Sequence, residues 1–165
     1  MSIATSAHRV RQVARHLRAR VTPDELALVR RILPPSAAAL FDGMPVADRR
    51  HALDVATRLL AGGVDDPDVL TAALLHDVAK GHRMRLWHRI WGVLLQAAAP
   101  RLLQRLASPD PRSWRYPFHL HLHHAAMSAE AARASGCSDR CAAFIRGISP
   151  EMLLQSALNA ADEAS

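Results

Sequence analysis

The sequence predicts an all-α protein, a single-domain bundle of about seven to nine helices. Half of its 165 residues are hydrophobic but only 4% are aromatic. Ala, Leu and Val dominate, which suits helices packed through small side chains better than an aromatic-rich sandwich or barrel. Apolar residues recur at helical spacing along most of the chain. Strand-like alternation is confined to Phe118–His123, a stretch that also fits a helix, which its flanks favour. At this length about two-thirds of the unfolded surface can be buried, so a core needs no disulfide or structural metal.

The elements follow from start and stop signals. Val10, Val13, Ala14, Leu17 and Val21 define an amphipathic helix from Ser6 to Arg20. Thr22-Pro23-Asp24-Glu25 is a capping-box start with Pro at the first helical position, and Leu33-Pro34-Pro35 ends that helix. Ser36 is the expected cap of a short helix through Phe41. The Gly43 to Pro45 turn leads to a longer helix over Val46–Ala61, stopped by Gly62-Gly63. Asp65-Asp66-Pro67-Asp68 caps a helix expected over Val69–Lys80 and closed by Gly81. Leu86–Leu106 is helical with a break near Ala99, set by Pro100. Ser108-Pro109-Asp110-Pro111 is a loop. Helices over Phe118–Ser135 and Ser138–Arg146 follow, and Ser149-Pro150-Glu151 caps the last one.

The formal net charge is +6, and all but one of the 21 basic residues are Arg, the exception being Lys80. They are spread along the chain as solvated helix faces, so nucleic-acid binding through the Arg-rich first helix ranks last among the readings. No apolar run approaches the ~20 residues of a membrane span, and the amino terminus lacks a secretory stretch. A cytoplasmic location is expected. Cys137 and Cys141, without a second pair to complete a zinc site, read as reduced thiols packed as small hydrophobes. Trp87, Trp91, Leu86, Ile90, Leu94 and Leu95 form a stripe expected to pack in the core. The alternative is an amphipathic surface for a membrane or partner helix, flanked by Arg83, Arg85, Arg89, Arg101 and Arg105.

Chemistry concentrates in Leu74-Leu75-His76-Asp77-Val78-Ala79-Lys80-Gly81. A carboxylate on an otherwise apolar helix needs a partner. Successive helical residues point about 100° apart, so His76 and Asp77 can both reach one ion over the helix edge. A hydrogen-bonded His-Asp pair without a ligand is the plainer reading. A second histidine group is Phe118-His119-Leu120-His121-Leu122-His123-His124, with His121 and His124 on one flank and His119 and His123 on the other.

Arg50-His51 before an apolar-patterned helix, then His76-Asp77 with Lys80-Gly81, and finally an Asp in a closing helix, together resemble the HD-domain superfamily of metal-dependent phosphohydrolases. The resemblance runs over residues 40–165 and leaves 1–39 as an N-terminal helical extension. It implies a divalent ion inside the bundle held by His51, His76, Asp77 and Asp162. Imidazole and carboxylate without thiolate suit Mn, Fe, Co, Ni or Mg. The implied reaction is hydrolysis of a phosphate ester by metal-activated water, on a nucleotide or related small phosphorylated metabolite. Asp77 would orient the water and Lys80 would hold a phosphate, although a cation at a helix end also complements the macrodipole.

His124-Ala125-Ala126-Met127-Ser128-Ala129-Glu130 looks like the His-Pro-x-x-Gly-Ala-Glu segment of two-metal subgroups such as the HD-GYP phosphodiesterases. It makes His124, then His121, an additional metal or phosphate contact, with His124 a catalytic candidate. Ala125 stands where that segment has Pro, and Arg146-Gly147-Ile148 lacks the His-His pair of a second metal site. Cyclic-dinucleotide cleavage is not implied, since the GYP residues are missing. Arg49, Arg50 and Arg115 are candidates for binding the phosphate anion, and Asp54 is either an acceptor for His51 or an exposed helix charge. His8, His16 and His88 read as solvated. The rival reading is a noncatalytic HD-like signalling or ligand-binding module, and homo-oligomerisation is open.

Overall fold

The computed structural model describes residues 20–165. The amphipathic helix expected from Ser6, with His8 and His16, lies outside the described residues. Among those described there are nine helices and no strand. None is long and apolar enough to cross a membrane.

Thr22 and Glu25 form the expected reciprocal cap of α1 (Pro23–Ile32), the Glu25 amide donating to the Thr22 hydroxyl and the Thr22 amide to the Glu25 carboxylate. In α2 (Pro35–Asp42) the cap position falls on Pro34, so Ser36 is not the cap expected. Lying inside the helix, its hydroxyl donates instead to the Ser135 carbonyl, 2.6 Å away. Val29, Leu33, Ala37 and Ala38 join the same core as the later helices, so the boundary drawn at residue 39 is no break in packing. Next come α3 (Val46–Ala61) and α4 (Pro67–Leu75). Every residue of α4 from Val69 to Leu75 is buried. Such a helix has no solvent face and must be surrounded. It packs against α1, α2, α3, α7 (Tyr116–Ala134), α8 (Asp139–Arg146) and α9 (Met152–Glu163).

The helix expected to continue to Lys80 ends at Leu75, with His76 at its cap. Tight turns follow, with Val78 N–H on Leu75 O and Lys80 N–H on Asp77 O. The Ala79 amide, which a continuing helix would give to Leu75 O, donates to the Ser128 hydroxyl of α7 at 3.1 Å. A long-range bond thus replaces a helical one and unwinds the segment that carries the chemistry. α9 has Glu151 at its cap position without a side-chain cap bond.

Pro100 breaks the next stretch as expected, into α5 (Leu86–Ala98) and α6 (Pro100–Leu106), with Ala99 at φ −150°. The core stripe expected on α5 is overturned: Trp87, Ile90, Trp91 and Leu94 are exposed. The inward face carries His88 and Gly92. At Gly92 the His121 ring of α7 comes so close that a Cβ would lie 2.6 Å from its Nδ1. Arg89 reaches back to α3, its guanidinium donating to both oxygens of buried Asp48 at 2.7 Å. Small and polar groups hold α5 down, and its apolar side is left outside.

Asp66 caps α4, accepting from the Asp68 and Val69 amides at 3.0 and 3.1 Å. Arg140 of α8 clamps both Asp66 oxygens at 2.8 Å and Glu151 at 2.6 Å, joining the starts of α4 and α9. Its hydrogen bonds, against a smaller burial effect, hold Asp66 below the usual carboxylate range. A depressed carboxyl contributes stability that is present above its unfolded pKa, about 3.9, and lost as pH falls through the lower folded value. Arg140→Met should therefore unfold at lower urea than wild type near neutrality. The gap should narrow as titrations are repeated at pH values falling below about 4.

Candidate metal centre

Three segments distant in sequence converge at the unwound end of α4. His51 comes from the second turn of α3, one turn after Asp48, whose pairing with Arg89 fixes that helix end. His76 and Asp77 come from the turn after α4, and Asp162 from the last turn of α9. α9 is held by buried Leu158 and Ala161, and by the Arg58 guanidinium donating to the Ser165 hydroxyl at 3.0 Å. Asp162 is thereby fixed in place although it lies three residues from the end of the chain.

The donor atoms form a continuous string. His51 Nε2 lies 2.8 Å from Asp162 Oδ1, and that oxygen lies 3.4 Å from His76 Nε2. His76 Nε2 lies 3.6 Å from Asp77 Oδ1, which is 3.8 Å from His124 Nε2 on α7. One atom from each of His51, His76 and Asp77 falls within 4.8 Å of the other two. Around an octahedral ion with bonds of ~2.1 Å, neighbouring donors sit about 3.0 Å apart and opposite ones about 4.2 Å. The three spacings from His76 Nε2 and Asp77 Oδ1, 3.4–3.8 Å, fall inside that interval, and the His51–Asp162 spacing of 2.8 Å is a hydrogen-bond distance.

The outer atoms are committed elsewhere. His76 Nδ1 lies 2.9 Å from the Ala73 carbonyl, which can only accept, so Nδ1 carries the proton and the lone pair of a neutral ring falls on Nε2. His124 repeats the device, Nδ1 donating to the His121 carbonyl at 3.0 Å. Lys80 donates to the outer oxygen of Asp77 at 2.7 Å. Once these bonds are made, His76 Nε2 and Asp77 Oδ1 are buried with no hydrogen-bond partner among the described residues. Two orphaned donor atoms facing each other are costly unless something bridges them. Imidazole nitrogen and carboxylate oxygen together suit a divalent transition ion or Mg.

The charges balance by mutual support. Burial alone would raise Asp77, but His76 and Lys80 outweigh it and hold the carboxyl well below its usual range. Burial would depress His76, and Asp77 and Asp162 more than offset it, leaving the ring raised. Asp162 is likewise held low, its bond to His51 and the neighbouring His76 imidazole overcoming burial. His124 and His121 are depressed, first by burial and then by the Lys80 charge, so both imidazoles stay neutral near neutral pH.

Other candidates fall outside the cluster. Asp54 pairs with Arg50 at 3.0 Å, not with His51, and Arg50 also pairs with Glu25 at 2.5 Å. Arg115 donates to the Leu106 and Arg105 carbonyls. Of the three arginines considered for phosphate, Arg49 alone has a side chain with no ion pair or hydrogen bond among the described residues, and its Nε is buried. His119 and His123 pair with each other on the other flank of α7, ring centroids 4.4 Å apart. His88 is buried, not solvated as expected, its Nδ1 accepting from the Arg85 amide. Sequence reasoning missed Asp48 and Ser128. Both act across more than 40 positions, and neither sits in a pattern that announces such a partner.

No family model, curated protein or solved structure matches the chain.

Lys80→Met leaves Asp77 Oδ2 buried and unpaired. We expect it to destabilise the metal-free protein by about 2–4 kcal/mol in urea unfolding, with Lys80→Arg close to wild type.

Proposed function

We propose that this chain is a metal-dependent phosphohydrolase that cleaves the phosphate ester of a nucleotide or related small phosphorylated metabolite. The observation that carries the reading is the pair of orphaned inward atoms, His76 Nε2 and Asp77 Oδ1, beside the His51 and Asp162 donors. The resemblance of these residues, in this order along the chain, to the HD-domain superfamily supplies the reaction class. His51, His76, Asp77 and Asp162 would hold the ion. When bound, a divalent ion supplies Lewis-acid polarisation of a phosphoryl oxygen and acidifies water enough for attack near neutral pH.

The remaining roles belong to the protein. Ala73 O fixes the His76 tautomer, and Lys80 holds the Asp77 carboxylate so that its inner oxygen faces the cluster. The Lys80 ammonium also supplies positive charge for the substrate's phosphate. His124, neutral near pH 7 and 3.8 Å from Asp77 Oδ1, is suited to take a proton from the attacking water and return it to the leaving oxygen. In the net reaction a water oxygen bonds to phosphorus, the ester P–O bond breaks, and the leaving alcohol gains the proton.

The test is metal analysis of protein purified without chelator, run beside His76→Ala and Asp77→Ala, with a manganese-supplemented phosphatase and phosphodiesterase screen. Bound metal in wild type that both variants lose, with hydrolysis lost alongside it, supports the reading. His124→Gln should retain the metal and lower kcat by about 100-fold or more. A wild type that is metal-free and inert with manganese present contradicts it, and leaves the noncatalytic ligand-binding module.

A further inference from the structure

α5 is built inside out. At 100° per residue, Val93, Ile90, Leu94, Trp87 and Trp91 share an arc of about 160°. All five point outward, from 43% exposed at Leu94 to 53% at Trp91. Ala97 and Ala98 complete the arc and are exposed too. No polar residue interrupts it. Beyond the Pro100 break, Leu102 of α6 is 47% exposed. All three tryptophans of the chain are solvent-facing, since Trp114, in the loop after α6, is 68% exposed. Exposed apolar residues scattered singly are ordinary, but a continuous helical face of them marks a contact surface.

The surrounding charge identifies what covers it. Between Asp77 and Glu130 the sequence holds one acidic residue, Asp110, against Lys80 and seven arginines. Arg85, at the cap before α5, and Arg101 and Arg105 on α6 are exposed and pair with no carboxylate among the described residues. A second copy of this chain docked face to face would bring arginine against arginine with no acid to receive it. Anionic lipid headgroups supply that acid as a continuous plane. Tryptophan sits well at the boundary between headgroup and acyl chain, and a helix with an apolar face and cationic flanks is the form that lies in that layer.

We propose that α5 and α6 dock this protein on an anionic bilayer surface, with Trp87, Ile90, Trp91, Val93 and Leu94 entering the headgroup boundary and Arg85, Arg101 and Arg105 on the phosphates. The inward bonds of Arg89 to Asp48 and the close approach of the His121 ring to Gly92 give α5 its seat, so the apolar face is presented without unfolding. Docking uses none of the metal-centre side chains and is independent of the phosphohydrolase reading.

The experiment is flotation of the full chain with vesicles of phosphatidylcholine alone or with phosphatidylglycerol added, read together with tryptophan emission. Expected are co-flotation and a blue shift with phosphatidylglycerol vesicles, both reduced at high salt and unchanged by chelator. Leu94→Glu, on a solvent-facing position, should keep the helical circular dichroism of wild type and weaken partitioning by about tenfold or more. Arg101→Glu with Arg105→Glu should abolish the preference for phosphatidylglycerol. Vesicle binding that Leu94→Glu leaves intact overturns the proposal. So does failure to float with either vesicle, whether the protein is then monomeric or forms a dimer that Leu94→Glu dissolves. The dimer result would assign the face to a second copy.

Discussion

Asp77 sits 2% exposed at the end of a helix with no solvent face, and an ionised carboxylate in that position is tolerated only if its surroundings compensate it. Much of the local structure answers to that requirement. Lys80 turns back to one oxygen, His76 stands beside the other, and the turn bringing Lys80 round exists because Ala79 gives its amide to Ser128 instead of continuing the helix. Asp162 then balances His76 and His51, so α9 is drawn to α3 and α4. The same atoms that settle the charge leave one imidazole nitrogen and one carboxylate oxygen facing inward without partners.

Scaffold and site share their anchors. Arg89 satisfies Asp48 one turn before His51 while seating α5, and His121 both packs on Gly92 and accepts from His124 through its carbonyl. A change at the α5–α7 contact is therefore felt at His124, and a change at Asp48 is felt at His51. α5 shows the cost of this arrangement, because its polar and small residues are used inward and its apolar residues remain outside.

Helix order and most boundaries were legible in the sequence because they rest on local chemistry. The Thr22-Glu25 box, Asp66 before Pro67 and the Pro100 break are each decided within a few residues. The end of α4 was not legible, since nothing near Lys80 indicates that Ser128 will take the Ala79 amide. The stripe on α5 had the right period and the wrong side: periodicity reports that a helix has an apolar face, while burial depends on which face its neighbours hold. His51, His76, Asp77 and Asp162 were named from a resemblance in residue order; the structure puts donor atoms of the first three within 4.8 Å of one another, with Asp162 beside the two imidazoles. The supporting contacts, those of Asp48 and Ser128 above all, run across the fold in a way that spacing cannot express. The commitment of Arg50 and Arg115 to structural bonds was likewise invisible.

The central claim is that the inward atoms of His76 and Asp77 are half of a coordination shell. Thermal unfolding of chelator-treated protein, with and without Mn2+, tests it directly. An ion that binds only the folded state at a hundredfold excess over its Kd should raise Tm by about 5–10 °C in a chain of this size. The account predicts that rise for wild type and its loss in Asp77→Asn. Equal Tm values with and without the ion in wild type, or an unchanged rise in Asp77→Asn, would contradict it.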